Sequence, residues 1–133
     1  MLKYGLFLLT LSSALAAADC DFNTSEYLEE LSNPTSIDSI NIEIPKSKKW
    51  IENGFKIFLH KSPIIREKHK KKYKAKIKVR YAFGNCSYEG KVRQTGDNKD
   101  HIEFTDLVAR QSLKVELDSG NVLSATSFKL LLP

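Results

Sequence analysis

The residues best suited to chemistry in this sequence form a stripe of cations. Lys72, Lys74, Lys76, Lys78 and Arg80 occupy every second position of a ten-residue run, with Tyr73, Ala75, Ile77, Val79 and Tyr81 between them. Successive side chains of a β-strand point to opposite faces. This run therefore predicts a half-buried strand with five positive charges on one face. Such a face can take phosphates, anionic glycans or lipid head groups. Residues 66–80 hold nine Lys or Arg and one Glu, while the whole chain carries only +5, so the basic character is local. A blander reading stands beside this one: lysines on an exposed strand also blunt a sheet edge against aggregation. Nucleic acid is not the expected partner. Tyr73 and Tyr81 fall on the opposite face, which leaves no stacking platform among the lysines.

Other chemistry finds less support. His60, His69 and His101 are scattered, and neither H-E-x-x-H nor C-x-x-C occurs, so no metal site is expected. Asp97-Asn98-Lys99-Asp100 lacks the spacing of a calcium loop and reads as solvated charges. Asp100 and His101 are neighbours that could act as acid and base, but adjacency in sequence does not establish geometry. No serine stands in a G-x-S-x-G setting, and no glycine-rich phosphate loop of the two common types is present.

The N-terminus predicts export. Lys3 precedes an uncharged apolar run, and Ala16-Ala17-Ala18 supplies the small residues that a signal peptidase reads, giving residues 1–18 as a signal peptide. The run is about 14 residues, short of the ~20 that cross a bilayer as a helix. No later stretch is long enough to do so, and no transmembrane helix is expected after cleavage. The predicted location is periplasmic or extracellular. In an oxidising compartment Cys20 and Cys86 are expected to pair. That bridge would contribute about 4 kcal/mol by loop closure and pin the new N-terminus. Asn23-Thr24-Ser25 and Asn85-Cys86-Ser87 match the glycosylation sequon, which matters only in a eukaryotic host.

Several elements must position these residues. Asn23 to Leu31 reads as a helix with Asn23 and Glu26 as a capping box, and residues 19–36 as an N-terminal helix and linker. Ile40, Ile42 and Ile44 mark a strand ended by Pro45. Lys46 to His60 fits a helix, with Gly54 as a flaw in the stripe, while Phe55, Ile57 and Leu59 also fit the alternation of a strand; the helix is the favoured reading. The cationic strand is followed by a turn at Phe83-Gly84-Asn85 and a returning strand, Cys86 to Arg93. Gln94 to Gln111 is a polar connection too long for a plain hairpin loop, so it is either functional or holds a short helix of its own, which Asp106 to Gln111 could supply. Strands at Ser112–Asp118 and Phe128–Leu132 complete the chain. The expected fold class is α+β, mainly antiparallel β-sheet with one or two short helices. The nearly apolar ending at Pro133 reads as a break inside a domain, so the β-rich domain at residues 37–133 is expected to be truncated at its C-terminus.

The stretch from Lys91 to Leu132 resembles a known family. K-V-R-Q-T-G-D-N-K-D-H-I, S-L-K-V-E-L-D-S-G-N and F-K-L-L-L-P are similar to the early part of spore-coat protein H (CotH) kinase-like proteins. Arg93, Gly96 and Asp97 match an R-x-x-G-[DN] element, and Ser112, Leu113, Lys114 and Val115 match a following strand. The version with D-H-I and F-K-L-L-L-P looks like the exported bacterial branch. The resemblance implies a diverged protein-kinase-like fold that binds ATP and Mg²⁺ and phosphorylates serine. The family's metal-binding and catalytic acids lie downstream of this region, so this chain alone is not expected to be an active kinase. Arg93 and Lys114 are the candidate phosphate contacts that carry over, while Gln111 stands where many members have Lys. A stand-alone module that holds an anionic envelope polymer or lipid on the Lys72–Arg80 face is the alternative expectation.

Overall fold

Alternation of cationic and apolar residues works only if one face of the strand finds a core. The computed structural model describes residues 18–105 and 108–133, with the side chains of residues 105, 108 and 109 outside the description. The expected leader, residues 1–18, therefore lies outside it except for Ala18. The strands are β1 (Asp19–Cys20), β2 (Ile37–Glu43), β3 (Lys72–Tyr81), β4 (Gly84–Gln94), β5 (Ile102–Thr105), β6 (Val108–Gln111), β7 (Leu113–Leu117) and β8 (Ser127–Leu130). The helices are α1 (Leu28–Leu31) and α2 (Ser47–Leu59). The fold is α+β and mainly antiparallel sheet, as the patterning predicts.

One sheet runs in the order β2-β3-β4-β7-β8, every pairing antiparallel. β4 carries β3 along one edge. Its other edge holds β1 against Cys86 and Ser87, then β7 from Gly90 to Gln94. Ala75, Ile77, Val79 and Tyr81 of β3 are buried on the inner face, with Cys86, Tyr88 and Val92 of β4 and Val115 of β7. Fully burying one such aliphatic side chain contributes about 1.5–3 kcal/mol. Truncating Ile77 to alanine would therefore cost about 2–5 kcal/mol, cavity included. A second, smaller core of Ile57, Ile65 and Ile102 joins α2 to the β5–β6 hairpin, with Phe104 against it.

The disulfide between Cys20 and Cys86 is present, linking two directly paired strand residues. It ties the start of the described chain to the middle of the sheet. Phe22, two residues on, sits edge-on to Tyr81 and Phe83.

Four boundaries differ from the sequence reading, each for a local reason. Asn23 does not cap a nine-residue helix. Its Oδ1 accepts the backbone N–H and the hydroxyl of Ser25, 3.1 and 2.6 Å away, and this local turn displaces helix until Leu28. The β3–β4 turn is Ala82-Phe83, with Gly84 already paired to Tyr81; Phe83 is thereby free to stack on Tyr27 and Tyr81. Val108–Gln111 is a strand rather than a helical turn, because it pairs with Ile102–Thr105. The last strand stops at Leu130, since the Leu132 N–H leaves the ladder for Ser112 Oγ at 2.9 Å. Gly54 is no flaw: it is buried on α2, and a Cβ there would meet the Gln111 amide at 2.5 Å.

Candidate functional site: a cationic sheet face

β3 delivers its five cations where the alternation predicts. Lys72, Lys74, Lys76, Lys78 and Arg80 are all exposed, and Tyr73 and Tyr81 lie on the opposite face. The edge-blunting reading fails for Lys76, Lys78 and Arg80, where β4 and β2 flank β3 on both sides, and holds for Lys72 and Lys74, whose edge away from β4 is unpaired. Most of the stripe covers a face, and its first end also lies on a rim.

The neighbours divide this face into two halves. Around Lys76, Lys78 and Arg80 the charge is diluted. Lys76 faces Glu43 and Glu89 across the sheet, Lys78 Nζ lies 2.7 Å from Glu43, and Arg80 lies 3.8 Å from Asp38. Lys78 holds the Glu43 carboxyl below its ordinary range. The other half concentrates charge. Lys72 pairs with Arg93, Arg93 with Lys114, and Lys114 with Lys129, a row of four cations across four strands. In the next row Lys74 faces Lys91. Glu116 is the counter-charge, 2.8 Å from Lys72 and 3.5 Å from Lys114, and Lys72 is the main reason its carboxyl titrates below the ordinary range. Among the described residues Arg93 has no carboxylate within 4 Å. Like charges placed directly opposite on a sheet are destabilising, so an anion bound along this row would relieve a cost built into the fold.

The structure thus unites Lys72, Lys74, Arg93 and Lys114 and adds Lys91 and Lys129, which a reading of single strands missed. The signal was there. Lys91-Val92-Arg93 alternates like β3, and Phe128-Lys129-Leu130 does the same. What single-strand periodicity lacks is register, and register decides which alternating stripes line up.

Gly96, Asp97 and Ser112 lie elsewhere. Ser112 is fully buried. Its hydroxyl accepts the Leu132 N–H and lies 3.0 Å from His101 Nδ1, while its backbone N–H donates to His101 O. Gly96, at φ +99°, lies against the His101 ring, and a Cβ there would clash with it. Asp97 lies 3.4 Å from Lys70, whose side chain is nearly buried between Asp97 and Glu67. Asp100, His101 and Ser112 follow one another as an acid, a base and a hydroxyl. The arrangement cannot act as a nucleophile: Asp100 stays 3.9 Å from His101 Nε2, and Ser112 has no exposure through which a substrate could reach it. The three motif segments therefore meet at Ser112 as a packed knot.

No family model, curated protein or solved structure matches this chain.

The ATP and Mg²⁺ implied by the family resemblance fit these residues only in part. Arg93 and Lys114 stand side by side on the open face and suit phosphate. Glu116 beside them is engaged by Lys72 and Lys114, and among the described residues no three His, Cys, Asp or Glu side chains converge as a metal would require. Among the described residues no helix is long and apolar enough to cross a membrane.

Proposed function

We propose that this chain is an exported β-rich module that holds an anionic envelope polymer or lipid surface on its cationic sheet face. The observation that carries the proposal is the row Lys72–Arg93–Lys114–Lys129, flanked by Lys74 and Lys91 and countered by one carboxylate. The leader-like N-terminus and the Cys20–Cys86 bridge support an oxidising, extracytoplasmic setting. The test is salt-dependent retention on an immobilised anionic polysaccharide and on phosphatidylglycerol vesicles. Charge reversal at Lys74, Lys91 and Arg93 should abolish retention. Reversal at Lys76 and Lys78, whose half of the face is already countered by acids, should weaken it less. Retention that is unchanged by the first set and insensitive to salt overturns the proposal.

A second reading is favoured by the knot at Ser112. The segments that resemble CotH-kinase-like proteins are separate in sequence yet meet in space, as expected if they form one structural unit of an exported kinase-like protein. On this reading the chain is its N-terminal β-rich portion, and the ATP-binding serine kinase activity belongs to a longer product. Mg²⁺-dependent ATP binding by a product of the source gene that continues beyond Pro133 would support it, and lack of binding would count against it.

A further inference from the structure

The ladder between β2 and β3 ends at Glu43 and Lys76, and Pro45 then turns the chain into α2. The first residues of β3 run on past the end of their neighbour. Trp50 of α2 packs edge-on against Tyr73, with ring centroids 5.3 Å apart. Between α2 and this overhanging end of β3 lies a cleft of about 560 Å³, within the usual size of small-molecule sites. Lys46, Lys49 and Lys56 line it from the helix side, and Lys71, Lys72 and Lys74 from the strand side. The placement follows from the sequence. Lys49, Asn53 and Lys56 recur at helical spacing and fall on one flank of α2, whereas Phe55 and Phe58 turn toward Phe104 on the other.

Six lysines line the cleft among the described residues, with Glu52 as the only acid. The Lys72 ammonium turns to Glu116 on the open face, 2.8 Å away, so Lys46, Lys49, Lys56, Lys71 and Lys74 are left to supply the cleft's charge. Among the described residues none of Lys46, Lys49, Lys56, Lys71 and Lys74 has a carboxylate within 4 Å. Asn53 is already occupied, donating to His69 O at 2.7 Å, so recognition falls to the lysines. Among the described residues no arginine lines the cleft. Planar carboxylates are best held by the guanidinium fork, while ammonium groups act as point charges that suit compact, multivalent oxyanions.

We infer that this cleft binds clustered phosphate groups, as in a soluble diphosphate or packed phospholipid head groups. It is a concave site beside the open sheet face and shares only Lys72 and Lys74 with it.

Trp50, the chain's single tryptophan, reports on the cleft through Tyr73, which lines it. The test is a titration of the full chain with inorganic pyrophosphate at low ionic strength, followed by tryptophan emission and by the rise in Tm that ligand binding produces. Saturable binding is expected. The Lys49→Gln/Lys56→Gln double variant should weaken it about tenfold, the loss of roughly one charge-assisted contact. Lys48→Gln/Lys61→Gln removes the same charge away from the cleft and should stay within about twofold. Lys91→Gln/Arg93→Gln should reduce retention on the anionic polysaccharide yet leave pyrophosphate binding intact, which separates this site from the sheet face. Vesicles of phosphatidylglycerol distinguish the sources. Competition between vesicles and pyrophosphate assigns the cleft to head groups, and pyrophosphate binding without competition assigns it to a soluble ligand. Absence of saturable binding, or equal weakening by both lysine pairs, overturns the inference.

Discussion

Replacing Arg93 with glutamine should make this protein more stable while it weakens anion binding. Arg93 stands directly opposite Lys72 on one side and Lys114 on the other. Among the described residues it has no carboxylate within 4 Å to offset them. Directly opposed strand pairs are worth roughly 0.2–1 kcal/mol each, with a destabilising sign for like charges. Two such contacts give a relief of about 1 kcal/mol. For a domain of this size that corresponds to a Tm rise of roughly 3–6 °C. Glutamine keeps part of the aliphatic stem, so little packing is lost. The assay is a thermal melt of wild type and Arg93→Gln at low salt and again near 1 M salt, where the screening length falls to about 3 Å. The gain should appear at low salt and vanish at high salt. A lower Tm at low salt would mean that Arg93 is held by favourable contacts, and a gain that persists at high salt would mean that packing is responsible. Either result refutes the argument that this row is kept at a cost to stability. Lys114→Gln should gain less, because it also gives up the Glu116 contact.

Three further outcomes follow from the geometry. Cys20→Ser/Cys86→Ser should lose about 4 kcal/mol in denaturant titration, the closure entropy of a 66-residue separation; a loss below about 1 kcal/mol would mean that the unfolded chain is not constrained by the bridge. Ser112→Ala removes a fully buried hydroxyl that serves both Leu132 N–H and His101, and should cost about 2–4 kcal/mol while leaving retention on anionic supports unchanged; retention lost in a folded Ser112→Ala protein would place Ser112 in the binding site. Stability should fall as the pH drops below about 6.5. Burial first, then Lys68 and Arg66, depress the His69 imidazole, and burial with Arg66 does the same for His60. The folded state thus prefers both rings neutral, and their contribution is complete above the unfolded pKa and lost as pH falls through the folded one. A second loss should begin below about pH 4.5, as Glu43 and Glu116, depressed by Lys78 and Lys72, are protonated. A flat profile between pH 7.5 and 5.5, or one unaltered by His69→Gln, would contradict the histidine assignment.

Local periodicity was enough to predict β3, because its alternation is strict over ten residues and only a strand presents that pattern as one wet and one dry face. The Cys20–Cys86 bridge was equally legible from two cysteines behind an export-like leader. The α2 helix was legible from its apolar stripe, though the purpose of Gly54 was not, since the close approach of Gln111 comes from a strand 57 positions later. Short polar stretches were the least legible. Asn23 could satisfy the backbone as a turn or as a helix cap, and Val108–Gln111 became a strand only because a partner lay beside it.

The sequence by itself determined that positive charge would gather on one face of one strand, since that depends only on the two-residue repeat of an extended chain. Tertiary structure decided what the face could do. Antiparallel register carried Arg93, Lys114 and Lys129 into line with Lys72, and set Glu43 and Glu89 against the other end. The early end of β2 left room for α2 to bring Lys46, Lys49 and Lys56 against the start of β3. These pairings join residues many positions apart, and their alignment follows from burying the opposite, apolar face in a single register, because a slip of one residue would turn every buried side chain outward.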